Sequence, residues 1–200
     1  MRKLIVCNIV SLDGMYSGPG GDIMAMPFDH GFSEYNAERL RTADTLLLGR
    51  RTFEAFRSYW PTIANDERSP PLEREISRLN TAIEKVVVSN GLKPDEREGW
   101  GPTRVVQRAA AREKIAGLKN TPGREILVFG SHVLWNDLMA AGLVDELHLL
   151  IGPGIVGEGI RAFETRPSGA LRLLGTRTFD GSSLLLVRYG VDAVSVRAHS

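Results

Sequence analysis

Short apolar runs alternate with helical segments along most of this chain, and this alternation is what most constrains its fold. The runs have the length of strands and lack the alternation of polar and apolar residues expected of a strand with one solvent-exposed face. They therefore predict strands that are buried on both faces. Strands and helices in alternation predict a largely parallel sheet covered by helices. The predicted strands are 3–12, 44–50, 83–90, 103–107, 124–130 and 144–153, and the predicted helices are 33–43, 51–60, 72–80, 109–120 and 131–142.

Individual side chains predict where several of these helices begin and end. Ser33 is expected to cap the first helix, whose Tyr35 and Leu40 would face inward. Pro61 is expected to stop the second helix and to open a polar surface loop. Gly142 is expected to terminate the fifth helix.

The C-terminal strands differ from the rest of the pattern. Residues 172–179 and 182–191 flank Asp180–Gly181, a dipeptide typical of tight hairpins. The sheet is therefore predicted to be mixed, mostly parallel, with a C-terminal antiparallel hairpin. No repeat or domain boundary interrupts the pattern, which predicts a single α/β domain over 1–190 and a C-terminal tail at 191–200.

Composition argues against several classes of function. The 200 residues hold 25 Lys and Arg against 24 Asp and Glu, a net charge of +1, so no electrostatic footprint points to nucleic acid or a membrane. No apolar run approaches the ~18–20 residues that span a bilayer. Cys7, the single cysteine, lies in an apolar run, which predicts a buried, inert thiol in a cytoplasmic protein. The four histidines have no metal-ligand spacing, so no metal site is expected.

Two strand-to-helix turns have the form of anion-binding sites. In an open α/β sheet, ligands bind at the carboxyl ends of strands, where helix N-termini present free N–H groups. "GRRT" at 49–52 places a glycine, two arginines and a hydroxyl there, and "FGSH" at 129–132 places Gly130 and Ser131 there. Together they suit a pyrophosphate with a further phosphate nearby. Each also has a structural alternative: a glycine turn with solvated arginines, and a turn in which Ser131 caps the next helix.

Two further glycine-containing segments lie outside these turns. Segment 152–160 matches neither nucleotide-binding fingerprint and is expected to form a rigid turn before another strand. The polar stretch 11–26 follows the first strand and is longer than most connections in a compact domain. It is either a lid over a ligand or an ordinary surface loop.

The motifs "VSLDG", "LLLGRRTFE", "VVVS" and "VFGSHVLWNDLMAAGLVDELHLLIGPGIVGEG", taken in order, resemble the dihydrofolate reductase-like superfamily. The resemblance covers about residues 2–190. It is strongest to the branch formed by the reductase domain of bifunctional riboflavin-biosynthesis proteins, of which "SLDG" and "GLVDEL" are characteristic. It implies the three-layer dihydrofolate reductase-like fold and an NADPH-dependent reductase of a small pterin- or pyrimidine-like substrate.

The resemblance also implies which residues would bind the cofactor. Arginines beside a helix N-terminus can pair bidentately with the ribose 2′-phosphate that distinguishes NADPH from NADH. Residues 14–26 would form a lid that excludes water during hydride transfer. Phe129 stands where the family often has a second glycine. The implied cofactor-binding residues are Gly49, Arg50, Arg51, Thr52, Ser89, Phe129, Gly130, Ser131, His132 and Val133.

Two acids, Asp13 and Glu34, are the candidate catalytic residues. Glu34 lies nearest the position at which classical dihydrofolate reductases carry a substrate-facing carboxylate. Asp13 is expected either to orient substrate or the lid, or simply to close an Asx-type turn at the strand end. No deaminase motif and no basic cluster for a substrate phosphate is evident, so riboflavin biosynthesis itself is not implied. The alternative function is a nucleotide-binding regulatory module on the same fold, without turnover.

The C-terminal strands also predict a homodimer. "SLLLV" at 183–187 is a continuous apolar run that needs cover on both faces, and no predicted helix follows residue 190 to supply it. A second copy related by a two-fold axis would supply that cover. The resemblance agrees, since riboflavin-type reductases commonly pair through these strands. The competing explanation is cover within one chain, by the tail or by the helix at 131–141.

Overall fold

The structure is a computed structural model that describes residues 1–93, 100–164, 167 and 169–192. Its strands are β1 (Leu4–Val10), β2 (Met15–Ser17), β3 (Ala43–Gly49), β4 (Glu84–Val88), β5 (Thr103–Val106), β6 (Glu125–Phe129), β7 (Glu146–Ile151), β8 (Ile160–Arg161), β9 (Ala170–Thr178) and β10 (Leu185–Asp192). Its α-helices are α1 (His30–Thr42), α2 (Arg50–Ile63), α3 (Pro71–Ala82), α4 (Ala111–Lys119) and α5 (His132–Ala140). Short 3₁₀ turns lie at Pro19–Gly21, Ile23–Ala25 and Arg108–Ala110.

Eight strands form one mixed sheet in the order β5-β4-β3-β6-β1-β7-β10-β9. The six strands from β5 to β7 are parallel, and the hairpin of β9 and β10 adds to β7 in antiparallel fashion. The predicted mixed, mostly parallel sheet with a C-terminal antiparallel hairpin is therefore confirmed. Strands β2 and β8 pair separately.

The two faces of the sheet bury separate apolar cores, which gives the three layers that the resemblance implies. Tyr35 of α1 and Phe53 of α2 contribute to the core on one face. Ile115 of α4 and Trp135 of α5 contribute to the core on the other. Cys7 is buried, as predicted, and burial raises the pKa of its thiol to about 12. No helix in the described part of the chain combines the length and apolarity of a bilayer-spanning segment.

Helix α1 begins three residues before its predicted start, so the prediction of Ser33 as its cap is wrong. Asp29 caps the helix by accepting the N–H of Gly31 at 2.9 Å. The same carboxylate accepts the Ser182 hydroxyl at 2.8 Å, a contact with the distant hairpin that no local pattern reveals. The Ser33 hydroxyl instead donates to Glu73 on α3. The inward positions are confirmed, because Tyr35 and Leu40 are both buried.

Pro61 does not stop α2, contrary to prediction; it lies in the last turn of that helix, and the polar loop starts only after Ile63. A proline removes one backbone donor, and packing against α3 favours the helix here: the Ser77 hydroxyl donates to the Trp60 carbonyl. Gly142 does end the fifth helix. It adopts a φ of +67°, and its N–H donates to the Met139 carbonyl at 3.1 Å.

The stretch 11–26 is more structured than either sequence interpretation assumed. Its β2 strand pairs with β8, which follows the glycine-rich segment 152–159, so the prediction of a turn leading to another strand is confirmed. Met15, Ser17 and Met26 are buried. A closing motion of residues 14–26 stays a prediction.

The two faces of the C-terminal hairpin differ in their cover. Leu184 and Leu186 lie in the core beneath α1, so that face is covered within one chain. On the other face, Leu171, Leu173 and Leu185 are 41%, 56% and 39% exposed. Cover within one chain is therefore found on one face, and cover of the other face by a second copy stays a prediction. Of the predicted tail 191–200, Val191 and Asp192 end β10, and residues 193–200 lie outside the described residues, as do the loop residues 94–99.

Lys85 of β4 is fully buried and ties the sheet to the end of α3. Its ammonium donates to the carbonyls of Asn80, Thr81 and Ile83 at 2.8–2.9 Å and lies 4.5 Å from the centre of the Trp100 ring. Burial lowers the pKa of Lys85 to about 8. The ammonium thus takes the place of the backbone donors that the last turn of a helix lacks.

We expect Lys85→Met to lower the free energy of unfolding by about 1–3 kcal/mol, because buried carbonyls lose their donor. The unfolded chain binds the lysine proton more tightly than the folded protein between pH 8 and the ordinary lysine value of 10.5. The wild-type advantage over Lys85→Met should therefore grow as the pH rises through that range. Urea unfolding at several pH values measures this, with the exposed Lys114→Met as control. A difference that is independent of pH would contradict the assignment.

Candidate cofactor site

The carboxyl ends of β4, β3 and β6 lie side by side, and they bring the predicted phosphate turns together. Gly49 ends β3, Ser89 follows β4 and Gly130 follows β6. Helices α2 and α5 start at these turns, so their N-termini point toward the same edge of the sheet. All ten predicted cofactor-binding residues belong to these three strand ends or to the first turns of α2 and α5.

Hydrogen bonds join the turn after β3 to the turn after β6. The Gly49 N–H donates to the Ser131 hydroxyl at 2.9 Å, and the Ser131 N–H donates to the Thr52 hydroxyl at 3.0 Å. The Gly130 N–H donates to Oδ1 of Asn8 on β1 at 2.7 Å. Three backbone donors that the motifs suggested for phosphate are thus already satisfied inside the protein.

Other donors at these turns remain available. The hydroxyls of Ser131 and Thr52 accept hydrogen bonds, and no acceptor for their own protons is found among the described residues. The first-turn N–H groups of α2 have no intrahelical acceptor, and Gly49 provides no side-chain cap. The arrangement can bind an anion through two hydroxyl groups and one helix N-terminus.

Gly130 and Ser131 both adopt left-handed conformations, with φ of +58° and +57°. A Cβ atom at Gly130 would lie 3.0 Å from the Thr52 methyl and 3.3 Å from the Tyr16 hydroxyl. Ser131 occupies the N-cap position of α5, but its side chain makes no capping hydrogen bond, so the capping interpretation is wrong. The strained Ser131 backbone turns that hydroxyl toward Gly49 instead.

The arginines and Ser89 lie at the β4 side of the site. Arg50 pairs with Glu54 at 2.6 Å and donates to the Gly91 carbonyl at 3.1 Å, which places its guanidinium beside the turn after β4. The Ser89 hydroxyl accepts the N–H groups of Gly91 and Leu92 and so holds that same turn. Arg51 is exposed, with no ion-pair partner in the described segments.

Three implied cofactor residues contribute differently from their neighbours. The Phe129 side chain is buried in the apolar core, and Val133 is 64% exposed. The His132 ring turns away from the two turns, with Nε2 2.8 Å from the Arg161 carbonyl and Nδ1 3.3 Å from Glu164. Because the Phe129 and His132 side chains are both engaged elsewhere, only the backbone groups of these two residues could contact a ligand at the joined turns.

Asp13 fastens two loops together. Its carboxylate accepts the Ser11 hydroxyl at 2.6 Å and the N–H groups of Gly157 and Val156 at 2.7 and 3.1 Å. The Ser11 hydroxyl and these two N–H groups lower the pKa of Asp13 to about 2. The Met15 N–H, which an Asx-type turn would use, donates to the Ser11 hydroxyl instead, so the Asp13 carboxylate joins the loop after β1 to segment 152–159.

Glu34 lies away from the nucleotide turns. It pairs with Arg177 of β9, which also binds Glu38 at 2.8 Å. Strand β9 forms the sheet edge opposite to β5, whereas the turns follow β3, β4 and β6. The structure therefore does not bring Glu34 and the predicted cofactor-binding residues together.

A buried polar chain anchors α1 beside Glu34. The Tyr35 hydroxyl lies 2.8 Å from Nδ1 of His148, and Nε2 of His148 lies 2.9 Å from Glu146. The carboxylate accepts from Nε2–H, which leaves Nδ1 to accept the Tyr35 proton. Burial lowers the pKa of His148 and favours this neutral form.

Two residues at the site were missed by the sequence analysis. Asn8 is a buried amide in the apolar β1 run, and that polar interruption was the available clue. Tyr16 of β2 lies against α5, with its ring 4.9 Å from that of His132 and its hydroxyl beside Gly130. Nothing in the local sequence indicates that contact.

Comparison with known proteins agrees with this geometry, and the chain belongs to the RibD C-terminal domain family, whose model matches residues 2–185. The uncharacterized protein YyaP of Bacillus subtilis (strain 168) is 29% identical over 189 residues, which is 93% of this chain and 94% of YyaP.

Solved structures show the same fold at lower identity. A candidate riboflavin biosynthesis protein from Shewanella sp. PV-4 is 20% identical with a TM-score of 0.63, covering 96% of this chain and 99% of that one. Dihydrofolate reductase from Enterococcus faecalis, complexed with NADP(H) and RAB-propyl, is 15% identical with a TM-score of 0.61, covering 95% and 96%. The dihydrofolate reductase-like fold is thereby confirmed.

We expect Gly130→Ala to destabilise the protein by about 1–2 kcal/mol, the cost of a left-handed conformation for an L-residue. Its methyl group would also press on Thr52. Gly117→Ala is the matched control, because Gly117 lies inside α4 with open space at its Cβ position. That variant should gain about 0.5–1 kcal/mol. Equal effects of the two substitutions in thermal unfolding would contradict this account.

Proposed function

We propose that this chain is a cytoplasmic NADPH-dependent reductase that transfers a hydride to a small pterin- or pyrimidine-like heterocycle. The observation that carries the proposal is the joined pair of turns after β3 and β6, with Arg50 and Arg51 at one end. Hydroxyl groups and a helix N-terminus there suit a diphosphate, and the arginines suit an additional phosphate. Membership in a family of reductase-like domains supports the same interpretation.

Each part of the cofactor would meet a different part of the site. Ser131, Thr52 and the first turn of α2 would hold the diphosphate, while Arg50, Arg51 and Ser89 would hold the 2′-phosphate end. The bound nicotinamide supplies the hydride, and the protein supplies orientation and exclusion of water. Residues 14–26 would act as the lid, with Asp13 fixing the loop from which they extend.

Exposed apolar side chains support a flat substrate at the carboxyl ends of β1 and β7. Leu12 and Ile155 are 61% and 76% exposed, and their loops are joined by the Leu12 N–H, which donates to the Gly154 carbonyl at 2.8 Å. An apolar surface beside a cofactor site is suited to an aromatic ring.

Direct measurement of NADPH oxidation, with a panel of pterins and pyrimidines, tests the reductase proposal. Calorimetric titration with NADPH is measured in parallel. Binding together with substrate-dependent oxidation is the expected result, and failure to bind NADPH would refute the proposal.

A second candidate function is a nucleotide-binding regulatory module without turnover. This function is favoured because both candidate acids already have partners within the protein. Asp13 accepts hydrogen bonds from Ser11 and backbone N–H groups, and Glu34 forms an ion pair with Arg177. Neither carboxyl is poised as a proton donor. NADPH binding with no oxidation across the whole panel would support this second function.

We expect Arg50→Ala to weaken NADPH binding by about 1.5–3 kcal/mol, the range for hydrogen bonds to charged groups, and NADH binding by much less. The reason is that NADH lacks the 2′-phosphate. Arg112→Ala is the control, because Arg112 pairs with Asp137 on the α4 and α5 side. Equal losses for NADPH and NADH would contradict the 2′-phosphate assignment.

We also propose a homodimer that pairs through the uncovered hairpin face. Leu171, Leu173 and Leu185 expose apolar surface on that face, and β9 is an edge strand with one unpaired side. A second copy related by a two-fold axis would cover the leucines of both chains.

Leu173→Glu should convert the dimer to a monomer in sedimentation at micromolar concentration. Leu173 is chosen over Leu186, because Leu186 lies in the core of its own chain and its substitution would unfold the protein. Tyr59→Glu is the control, since Tyr59 is 51% exposed on α2, which packs against β3 and β4 in the other half of the sheet from β9. A wild-type monomer under these conditions would refute the pairing.

A further inference from the structure

Tyr16 belongs to the lid segment 14–26 and lies beside the N-terminus of α5, next to the proposed diphosphate site. Its ring lies 4.9 Å from that of His132, the first residue of α5. The Tyr16 hydroxyl and the Thr52 side chain both lie within 3.3 Å of the point that a Cβ at Gly130 would occupy. Tyr16 therefore reaches the same small region as the joined turns, although it comes from a different loop.

The Tyr16 hydroxyl is able to donate a hydrogen bond. No acceptor for the phenolic proton is found within the described ranges, and the Thr52 side chain lies beside it. Burial raises the pKa of Tyr16 to about 12, so the phenol keeps its proton at neutral pH.

Ser131 provides a second hydroxyl group at this point. It is buried, with 7% of its surface exposed, and its hydroxyl accepts from Gly49, while no acceptor for its own proton is found in the described part of the chain. Tyr16, Ser131 and Thr52 thus place three hydroxyl protons around Gly130, and an anion with several oxygen atoms would accept them together.

We propose that Tyr16 is a ligand of the dinucleotide diphosphate and donates its phenolic O–H to a phosphate oxygen. This inference rests on the proposed cofactor. It adds a consequence for the lid: because Tyr16 belongs to β2, which pairs with β8, the bound diphosphate holds residues 15–17 in place. Cofactor binding and lid order are then coupled through one side chain.

A competing interpretation makes the opposite prediction. If the Tyr16 hydroxyl merely occupies the N-terminus of α5 as a substitute for the ligand, the diphosphate must expel it. Loss of the hydroxyl would then make cofactor binding tighter. The sign of the change in affinity separates a ligand from a competitor.

The test is Tyr16→Phe, which keeps the ring against His132 and removes only the hydroxyl. Calorimetry measures the dissociation constants for NADPH, 2′-phospho-ADP-ribose and adenosine 2′-monophosphate. The first two contain the diphosphate and should bind roughly 10- to 100-fold more weakly, the range for a hydrogen bond to a charged group. Adenosine 2′-monophosphate lacks the diphosphate and should bind as it does to the wild type. Tyr59→Phe, on the exposed surface of α2, is the matched control.

Hydrogen exchange of the wild-type protein provides a readout that needs no variant. The amides of residues 15–17 should exchange more slowly with 2′-phospho-ADP-ribose bound, and adenosine 2′-monophosphate should not slow them. Unchanged or tighter binding by Tyr16→Phe, or an equal loss for all three ligands, would overturn the inference alone. Failure of wild-type protein to bind NADPH would overturn the proposed function as well.

Discussion

The hydrogen bonds between Ser131 and the turn after β3 are the constraint on which the candidate site depends. They exist because parallel β3 and β6 are neighbours, so that both turns leave the sheet at one edge. Ser131 must adopt a left-handed backbone to accept from Gly49 and donate to Thr52, and Gly130 must lack a side chain for these groups to approach. The strained Ser131 backbone thereby holds the turn before α5 against the N-terminus of α2, and this N-terminus together with the two hydroxyl groups can bind an anion.

The loops over this edge are connected as firmly as the turns beneath them. Asp13 binds the backbone of segment 152–159, and β2 pairs with β8 beyond it. If residues 14–26 act as the proposed lid, their motion has to separate β2 from β8 or carry both loops together. Because the pKa of Asp13 is about 2, its carboxylate stays ionised at physiological pH. Its hydrogen bonds to segment 152–159 are therefore insensitive to ordinary changes of pH.

Much of the fold was predictable from sequence, because buried parallel strands require uninterrupted apolar runs and helices require their own periodicity. The errors came where distant residues decide a boundary. Asp29 caps α1 and also binds Ser182, and Ser77 of α3 holds the Trp60 carbonyl near Pro61. In the site, the positions of Gly49, Thr52, Gly130 and Ser131 were predictable from local strand-to-helix turns. The orientation of His132 depends on residues 161–164, and a local pattern contains no information about that contact.

The sequence by itself determined the class of sheet, the hairpin at Asp180–Gly181, the two phosphate-type turns and membership of the RibD C-terminal domain family. These features depend on local composition and residue spacing, which the amino-acid sequence contains directly. Only the tertiary structure decided that Asp13 fastens two loops, that Glu34 binds Arg177 away from the turns, and that Tyr16 reaches α5. Each of these contacts joins residues more than 100 positions apart, and the direction of a side chain across such a distance is set by packing of whole elements.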